Sequence, residues 1–356
     1  MNTRTTTIPS LFLAATMVGC EKEEEPKSSS ESEPSYEADA DTDADADTDT
    51  DADTDADADT DADTDADTDA DTDADVVSLS VSADLTELSS RDVGTFAVTA
   101  ELASGDSMDV TADAELALSD EEVARVYTAG SLQPIDAGEV MLTATYEGFS
   151  AEETFTVTVD LAATGDLVIN EVLSDGTVDG DPNQDGSLER FEDEFLELAN
   201  YSDVTVDLTG VTIIEDDFPF VPRHTFAEGT HLRAGEAIVV FGGGDTSALA
   251  ADFATFVVAD NEDPGLQYGL SLNNEGERIQ IIAADGTTLI TELAYGTADE
   301  SGPEAITDAS LVLSPDVWGS SYTHHKYATD SAGDYSPGTF LDGSAFPGPD
   351  GRYTAE

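Results

Sequence analysis

From about Val76 to Pro347, apolar residues fall in short runs of period two, cut by Gly, Asp, Asn and Ser. Val77-Ser-Leu79-Ser-Val81 alternates, and so does Thr95-Phe-Ala-Val98-Thr-Ala-Glu-Leu102, which ends in a turn at Ser104-Gly105-Asp106. Glu139 to Tyr146 and Thr154 to Val159 read as a hairpin around Glu147-Gly148. Such alternation sets one face of a strand on a core and the other in water. A second series opens with the apolar run Leu167 to Leu173 and continues with Phe195-Leu196-Glu197-Leu198, which reads as a half-buried strand. Val206 to Leu208, Val211 to Ile214, Ala237 to Phe241, Phe253 to Val258, Arg278 to Ile282 and Leu289 to Leu293 complete it. Gly242-Gly-Gly244, Asn273-Asn-Glu-Gly276 and Asp285-Gly286 are turn signals between these strands. No long amphipathic helix interrupts the pattern. The expected fold is all-β: two β-sandwich domains, at 76–160 and 165–347, with a short tail at 348–356. The break at Ala162-Ala-Thr-Gly165 predicts an exposed boundary between modules.

Before Val76 the pattern is of another kind. Aspartate occupies every odd position from Asp39 to Asp75, with Ala or Thr between. The period of two mimics a strand, but Ala and Thr bury little and a sheet would stack like charges. Residues 20–75 therefore read as a disordered acidic stalk, stretched by its own repulsion. Extended at about 3.1 Å per residue, it spans on the order of 150 Å. The whole chain carries 80 acidic and 11 basic residues, a formal charge of -69. Such a field repels phosphates, so nucleic acid is not an expected partner. It attracts divalent cations and basic surfaces.

The first residues read as an address. Arg4 precedes the apolar run Ile8 to Val18, which is too short to span a bilayer and suits a signal segment. It ends in Met17-Val18-Gly19-Cys20, which resembles the bacterial lipobox. The resemblance implies cleavage of residues 1–19, lipidation of Cys20 and a membrane partner through that anchor. Glu21 after the cysteine implies outer-membrane sorting, with the protein at the cell surface. Cys20 is also the chain's one cysteine, which excludes an internal disulfide and a cysteine-based zinc site.

Two further resemblances cover the strand-rich part. Ser78-Leu-Ser-Val81, Ser104 to Thr111, Val123-Ala-Arg-Val126 and Asp136-Ala-Gly138 with Val140 to Thr145 resemble the group 2 bacterial Ig-like domain, whose relatives act as spacers or adhesive modules. Val168-Ile-Asn170-Glu171-Val172, Asp193-Glu194-Phe-Leu-Glu197-Leu-Ala-Asn200, Val206-Asp207-Leu-Thr-Gly210 and Ser336-Pro-Gly338-Thr339 resemble, in order, the lamin tail domain. That resemblance implies an Ig-like sandwich that binds or scaffolds and is mostly non-catalytic.

One loop carries candidate chemistry. Asp181-Pro-Asn183-Gln-Asp185-Gly186-Ser187-Leu-Glu189-Arg-Phe-Glu192 fits the spacing D-x-N-x-D-G-x5-E. Alternate side chains at Asp181, Asn183 and Asp185 turn their oxygens inward, and Gly186 permits the sharp bend. The Ser187 carbonyl, Glu189 through a water, and both oxygens of Glu192 complete the set that calcium requires. Asp179 and Asp193 are spare ligands. Calcium is thus the expected cofactor. The histidine pair His324-His325 is expected on a surface loop, since no metal-ligand spacing accompanies it. Phe241-Gly-Gly-Gly-Asp245 lacks the lysine and helix of a phosphate loop and reads as a strand-end turn. No nucleophile elbow or metal-hydrolase signature occurs. The expected function is a non-enzymatic surface lipoprotein that displays a calcium-stabilised binding or adhesion module to an unidentified extracellular or envelope ligand. The alternatives are a calcium-dependent hydrolase or a purely structural envelope protein.

Overall fold

The computed structural model describes residues 75–174, 180–216, 221–261, 269–305 and 309–349. The signal segment, Cys20, the stalk up to residue 74, Asp179 and the last residues of the tail lie outside the described residues.

The first sandwich has two sheets. Strands β1 (Val76–Ala83), β3 (Gly94–Leu102), β7 (Ser131–Pro134) and β6 (Ala124–Thr128) form one in that order, with β4 (Ser107–Asp109) beside β3. Strands β2 (Glu87–Ser89), β9 (Phe149–Thr158), β8 (Gly138–Tyr146) and β5 (Glu115–Leu118) form the other. The alternation predicted for β3 is observed: Phe96, Val98 and Ala100 point inward, toward Leu132, Leu142 and Phe155. The hairpin turns at Glu147-Gly148, both at positive φ (46° and 86°), the backbone twist that a two-residue hairpin loop needs.

The chain passes into the second sandwich through β10 (Asp160–Leu161), which pairs in parallel with β13 (Val206–Asp207) and, through it, with β16 (His231–Leu232). The central sheet runs β18 (Ala254–Val258), β17 (Ala237–Phe241), β12 (Phe195–Asn200), β11 (Leu167–Leu173), β21 (Leu311–Ser314), β22 (Ser321–His324). It faces a sheet of β15 (His224–Thr225), β14 (Thr212–Glu215), β19 (Gly276–Ile282) and β20 (Leu289–Gly296). Ile169, Leu196, Leu198, Ile213, Ile279 and Tyr295 belong to the core between them.

One strand departs from expectation. Phe195–Asn200 is buried at all six positions, not on alternate ones. The reason is a second cover. The β21–β22 connection, with Val317 and Trp318, and the segment after β22, with Phe340 and Phe346, fold over the outer face of the central sheet and pack with Ala199 and Ala237. Glu197, expected in water, is under that cover. Strands β21 and β22, which the residue pattern did not predict, extend the same sheet beneath it.

Candidate functional site

The acidic loop is placed by the sheet. In the β12–β17 pair, Phe195 faces Phe241, so the residues just before β12 continue to face those just after β17. Gly242 N donates to Glu194 O at 2.8 Å and Gly243 N to Glu192 O at 3.1 Å. The glycine run is a seat for the loop. A Cβ at Gly242 would lie 1.8 Å from the Phe191 carbonyl oxygen, and one at Gly244 would lie 2.3 Å from Asn183 Nδ2. Substitution at either position would push the loop off the sheet.

Within the loop the alternate side chains turn back on the backbone. Asp181 Oδ1 accepts from Asp185 N at 3.1 Å and Oδ2 from Gly186 N at 2.8 Å. Asn183 Oδ1 accepts from Asp185 N at 3.0 Å, and Asp185 Oδ1 from Ser187 N at 2.8 Å. Gly186 has φ +88°, the conformation that the pattern reserves for glycine. Asn183 is buried, Asp181 and Asp185 are partly exposed, and Ser187, Glu189 and Glu192 are exposed. The structure thus gathers Asp181, Asn183 and Asp185 into one bend and leaves the two glutamates on its rim. Among the described residues no three Asp, Glu, His or Cys side chains stand close enough to hold a metal ion as they are.

Asp193, expected as a spare ligand, is fully buried. Its Oδ2 accepts from Glu189 N at 2.7 Å, while Oδ1 has no hydrogen-bond partner. Burial raises its carboxyl to about 6, helped by the charges of Asp181, Asp185 and Glu192 and opposed by the Glu189 N–H. This is an acid held in a field of acids.

A second polar group lies under the C-terminal cover, and the motifs of the sequence do not announce it as a group. A bulge between Ile169 and Glu171 turns both Asn170 and Glu171 toward that cover, as an extra residue in a strand allows. Glu171 Oε1 accepts from Ser310 Oγ at 2.5 Å and Ser336 N at 3.0 Å, and Oε2 from Ser336 Oγ at 2.8 Å. Its cross-strand neighbour Glu197 accepts from Asn170 Nδ2 at 2.9 Å and Gly338 N at 2.7 Å. Asn170 also donates to Asp316 Oδ1 at 3.2 Å and accepts from Val317 N at 2.8 Å. Burial raises Glu171 and Asp316, and raises Glu197 further with the Glu171 charge beside it. His325 is not on the surface as expected. It is fully buried, with Nδ1 at 2.9 Å from Gly333 O and Nε2 at 2.9 Å from Ser336 Oγ.

Ser336, His325 and Glu171 are the residue types of a nucleophilic triad, but the carboxylate takes the serine hydroxyl and does not orient the imidazole. The arrangement works as a latch: Glu171, Glu197 and Asn170 tie the covering segment to β11 and β12, and His325 braces that segment internally. Sequence carried one signal for it, the polar residues Asn170, Glu171 and Glu197 inside otherwise apolar strands.

The two sandwiches meet through charged groups. Arg233 Nη1 is 2.7 Å from Glu122 and its Nε is 3.2 Å from Asp136, which also meets His231 Nδ1 at 2.6 Å. Arg91 Nη2 is 2.7 Å from Asp166 Oδ2, and Thr205 donates to the Ile135 carbonyl.

Comparison with known proteins bears on the second sandwich. No curated protein matches the chain. Among solved structures, a DUF4876 family protein from Bacteroides thetaiotaomicron is similar at a TM-score of 0.31 and 9% identity, over 67% of this chain and 78% of that one. Domains 4–9 of the surface layer protein SbsC give a TM-score of 0.21 and 15% identity, over 62% of this chain and 31% of that one. Likeness this low carries no functional argument. The family model for the Lamin Tail Domain matches residues 161–297, ending before the latch residues Ser310, Asp316, His325 and Ser336. The stretch that the Lamin Tail Domain model matches thus falls on the second sandwich, from β10 through β20.

Proposed function

We propose that this chain is a non-catalytic surface lipoprotein, anchored through Cys20, that holds a calcium-stabilised lamin tail domain away from the membrane. The acidic stalk supplies reach and the first sandwich is the mount. The partner is an extracellular or envelope ligand, and the charge of -69 argues against nucleic acid. One observation carries the reading. The buried Glu171, Glu197 and His325 are consumed in fastening and bracing the C-terminal segment, while the acidic loop lies at the surface with Ser187, Glu189 and Glu192 exposed.

The loop residues suit calcium. Asp181, Asn183, Asp185 and the Ser187 carbonyl are hard oxygen donors on one bend, with Glu189 and Glu192 at its rim. A bound divalent ion relieves their mutual repulsion and stabilises the folded state by mass action.

Cell fractionation of Cys20→Ser, with calcium titration of the wild type, tests the proposal. The variant is expected in soluble material, and Trp318 fluorescence of the wild type is expected to report a higher melting temperature in millimolar calcium than in chelator. Membrane partitioning that survives the substitution contradicts the anchor. A melting curve indifferent to calcium contradicts the stabilised module.

A further inference from the structure

We infer that the first sandwich is a binding module as well as a mount, and that its outer face takes an uncharged sugar against Tyr127, Ser131 and Gln133. The inference goes beyond the reading above and does not depend on calcium.

Strand geometry builds the site. In β7, Leu132 and Pro134 are buried, and Ser131 and Gln133 alternate with them on the outer face. In the neighbouring β6, Val126 faces Leu132 while Thr128 faces Ser131. Tyr127 is therefore the extra residue of a β-bulge, a device that re-aims a side chain. It is 68% exposed. The other described aromatics of this sandwich, Phe96, Tyr146, Phe149 and Phe155, belong to its core or pack against it. Val93, Tyr127, Ser131 and Gln133 line an open hollow of about 210 Å³, room for a sugar ring and its hydroxyls.

The lining selects the ligand. Arg125 Nε donates to Gln133 Oε1 at 3.1 Å, which commits the amide oxygen. Among the described residues nothing accepts from Gln133 Nε2, and the hydroxyls of Ser131 and Tyr127 have no hydrogen-bond partner. The hollow thus offers an aromatic face, an amide donor and two hydroxyls that both donate and accept. A sugar answers all of these, with an apolar C–H face and a rim of hydroxyls. A concave, largely apolar patch with a few placed polar groups is the usual form of a small-ligand site. No charged side chain lines the hollow, so a cation finds no counter-charge there. The chain's charge of -69 repels anions. An extended peptide would need a free strand edge. The floor strand offers none at Ser131, which pairs with Thr95 on one flank and Thr128 on the other. A peptide at the outer edge of β6 would be separated from Ser131 and Gln133 by β6 itself.

The test is binding of the full-length chain to an array of uncharged glucose, galactose, mannose and N-acetylglucosamine oligosaccharides, with acidic glycans and unstructured peptides beside them. The best uncharged binder is then titrated calorimetrically into wild type, Tyr127→Ala, Tyr127→Phe, Gln133→Ala and Tyr201→Ala. Tyr201 is an exposed tyrosine of the second sandwich. Tyr127→Ala is expected to weaken binding about tenfold or more, as for an aromatic at the centre of an interface. Tyr127→Phe keeps the ring and is expected to lose about threefold or less. Gln133→Ala is expected to lose about threefold to tenfold, as for one hydrogen bond. Tyr201→Ala is expected to bind like wild type. Hydrogen exchange over 76–160, expected to match wild type in every variant, separates lost ligand contacts from lost fold. Should Tyr127→Ala loosen the sandwich, Gln133→Ala decides, and wild-type binding by it overturns the inference. The inference is also overturned if no uncharged oligosaccharide binds, if only acidic glycans or peptides do, if Tyr127→Ala binds like wild type, or if Tyr201→Ala loses as much.

Discussion

The first sandwich and the second are both stacks of short strands, but their interiors differ in kind. The first is filled by Leu88, Phe96, Val98, Leu132, Leu142 and Phe155, with Ser90 as its one buried polar residue among those described. The second buries Asn170, Glu171, Glu197, Asp316 and His325 beneath its C-terminal cover, and Glu215 with Arg223 in an ion pair elsewhere in its interior. Apolar burial is non-directional and tolerant of conditions. A buried carboxylate is neither, because each one needs its particular donors and its charge opposes burial. The difference teaches where this molecule can respond to its surroundings. The mount is expected to ignore pH and cations, while the displayed domain registers both.

The largest expected effect breaks the polar interior at its centre. Asn170→Ala removes donors to Glu197 and Asp316 and an acceptor from Val317 N. Stripping a partner from buried carboxylates costs on the order of 3 to 5 kcal/mol. Trp318, the chain's single tryptophan, packs on the cover with Phe340, so its fluorescence in a urea titration reads the loss directly. A midpoint within error of wild type would mean that the latch contributes nothing. The apolar counterpart is Leu142→Ala, fully buried in the first core. It is expected to cost about 2 to 5 kcal/mol, read by hydrogen exchange over 76–160, with the Trp318 transition left in place. Movement of the Trp318 transition by the same amount would show that the two cores unfold as one.

Smaller, and opposite in sign to ordinary acid denaturation, is the pH response. Glu171, Glu197 and Asp316 have folded pKa values raised above their unfolded ones. The folded state therefore binds more protons than the unfolded chain between the two values. The stabilisation is fully present below the unfolded pKa and is lost as pH rises through the folded one. His224 is lowered by burial and works the other way, losing stability as pH falls through its folded pKa. Above about pH 6.5, the usual histidine value, only the carboxyls matter. Melting followed by Trp318 in chelator should therefore fall as pH rises through the raised values of these carboxyls, by at most about 1.4 kcal/mol per pH unit for each group that titrates. Exchange over 76–160 should stay flat. A Trp318 curve that rises there would refute the account of the latch.

The smallest effect concerns the joint. Arg233→Ala removes contacts to Glu122 and Asp136, both solvent-accessible, and such pairs contribute about 0 to 1 kcal/mol. Global stability should barely move. Faster exchange at the residues flanking Asp136 and His231 would locate the loosening, and a loss of several kcal/mol would show that the joint is part of a common core.

How far the sequence foretold this is uneven, for physical reasons. Period-two alternation located β1, β3, β8, β9 and β19, because a strand with one wet face writes that face into its residues, and β17 stood out as an unbroken apolar run. Glu197 misled for the same reason: a glutamate between leucines signals water, and the segment that covers it lies about 120 to 140 residues on, at Asp316 and Gly338. Strands β21 and β22 were missed because Leu311-Val-Leu-Ser314 and Ser321-Tyr-Thr-His324 are short and lack alternation. The acidic loop was legible in Asp181, Asn183, Asp185 and Gly186, whose roles are local and depend on spacing. The burial of Asp193 was not, because it depends on the glycine seat after β17, some 50 residues away. His325 looked like surface because its partners Gly333 and Ser336 come together through a turn with no periodic signal.

The most direct test of the contrast between the two interiors is hydrogen exchange of the full-length chain at pH 7, in millimolar calcium and in chelator. The account predicts slower exchange in calcium over 181–200 and 237–244, where the loop, β12 and the glycine seat meet, with no change over 76–160. Equal protection of both sandwiches, or none in the loop and its seat, would contradict it.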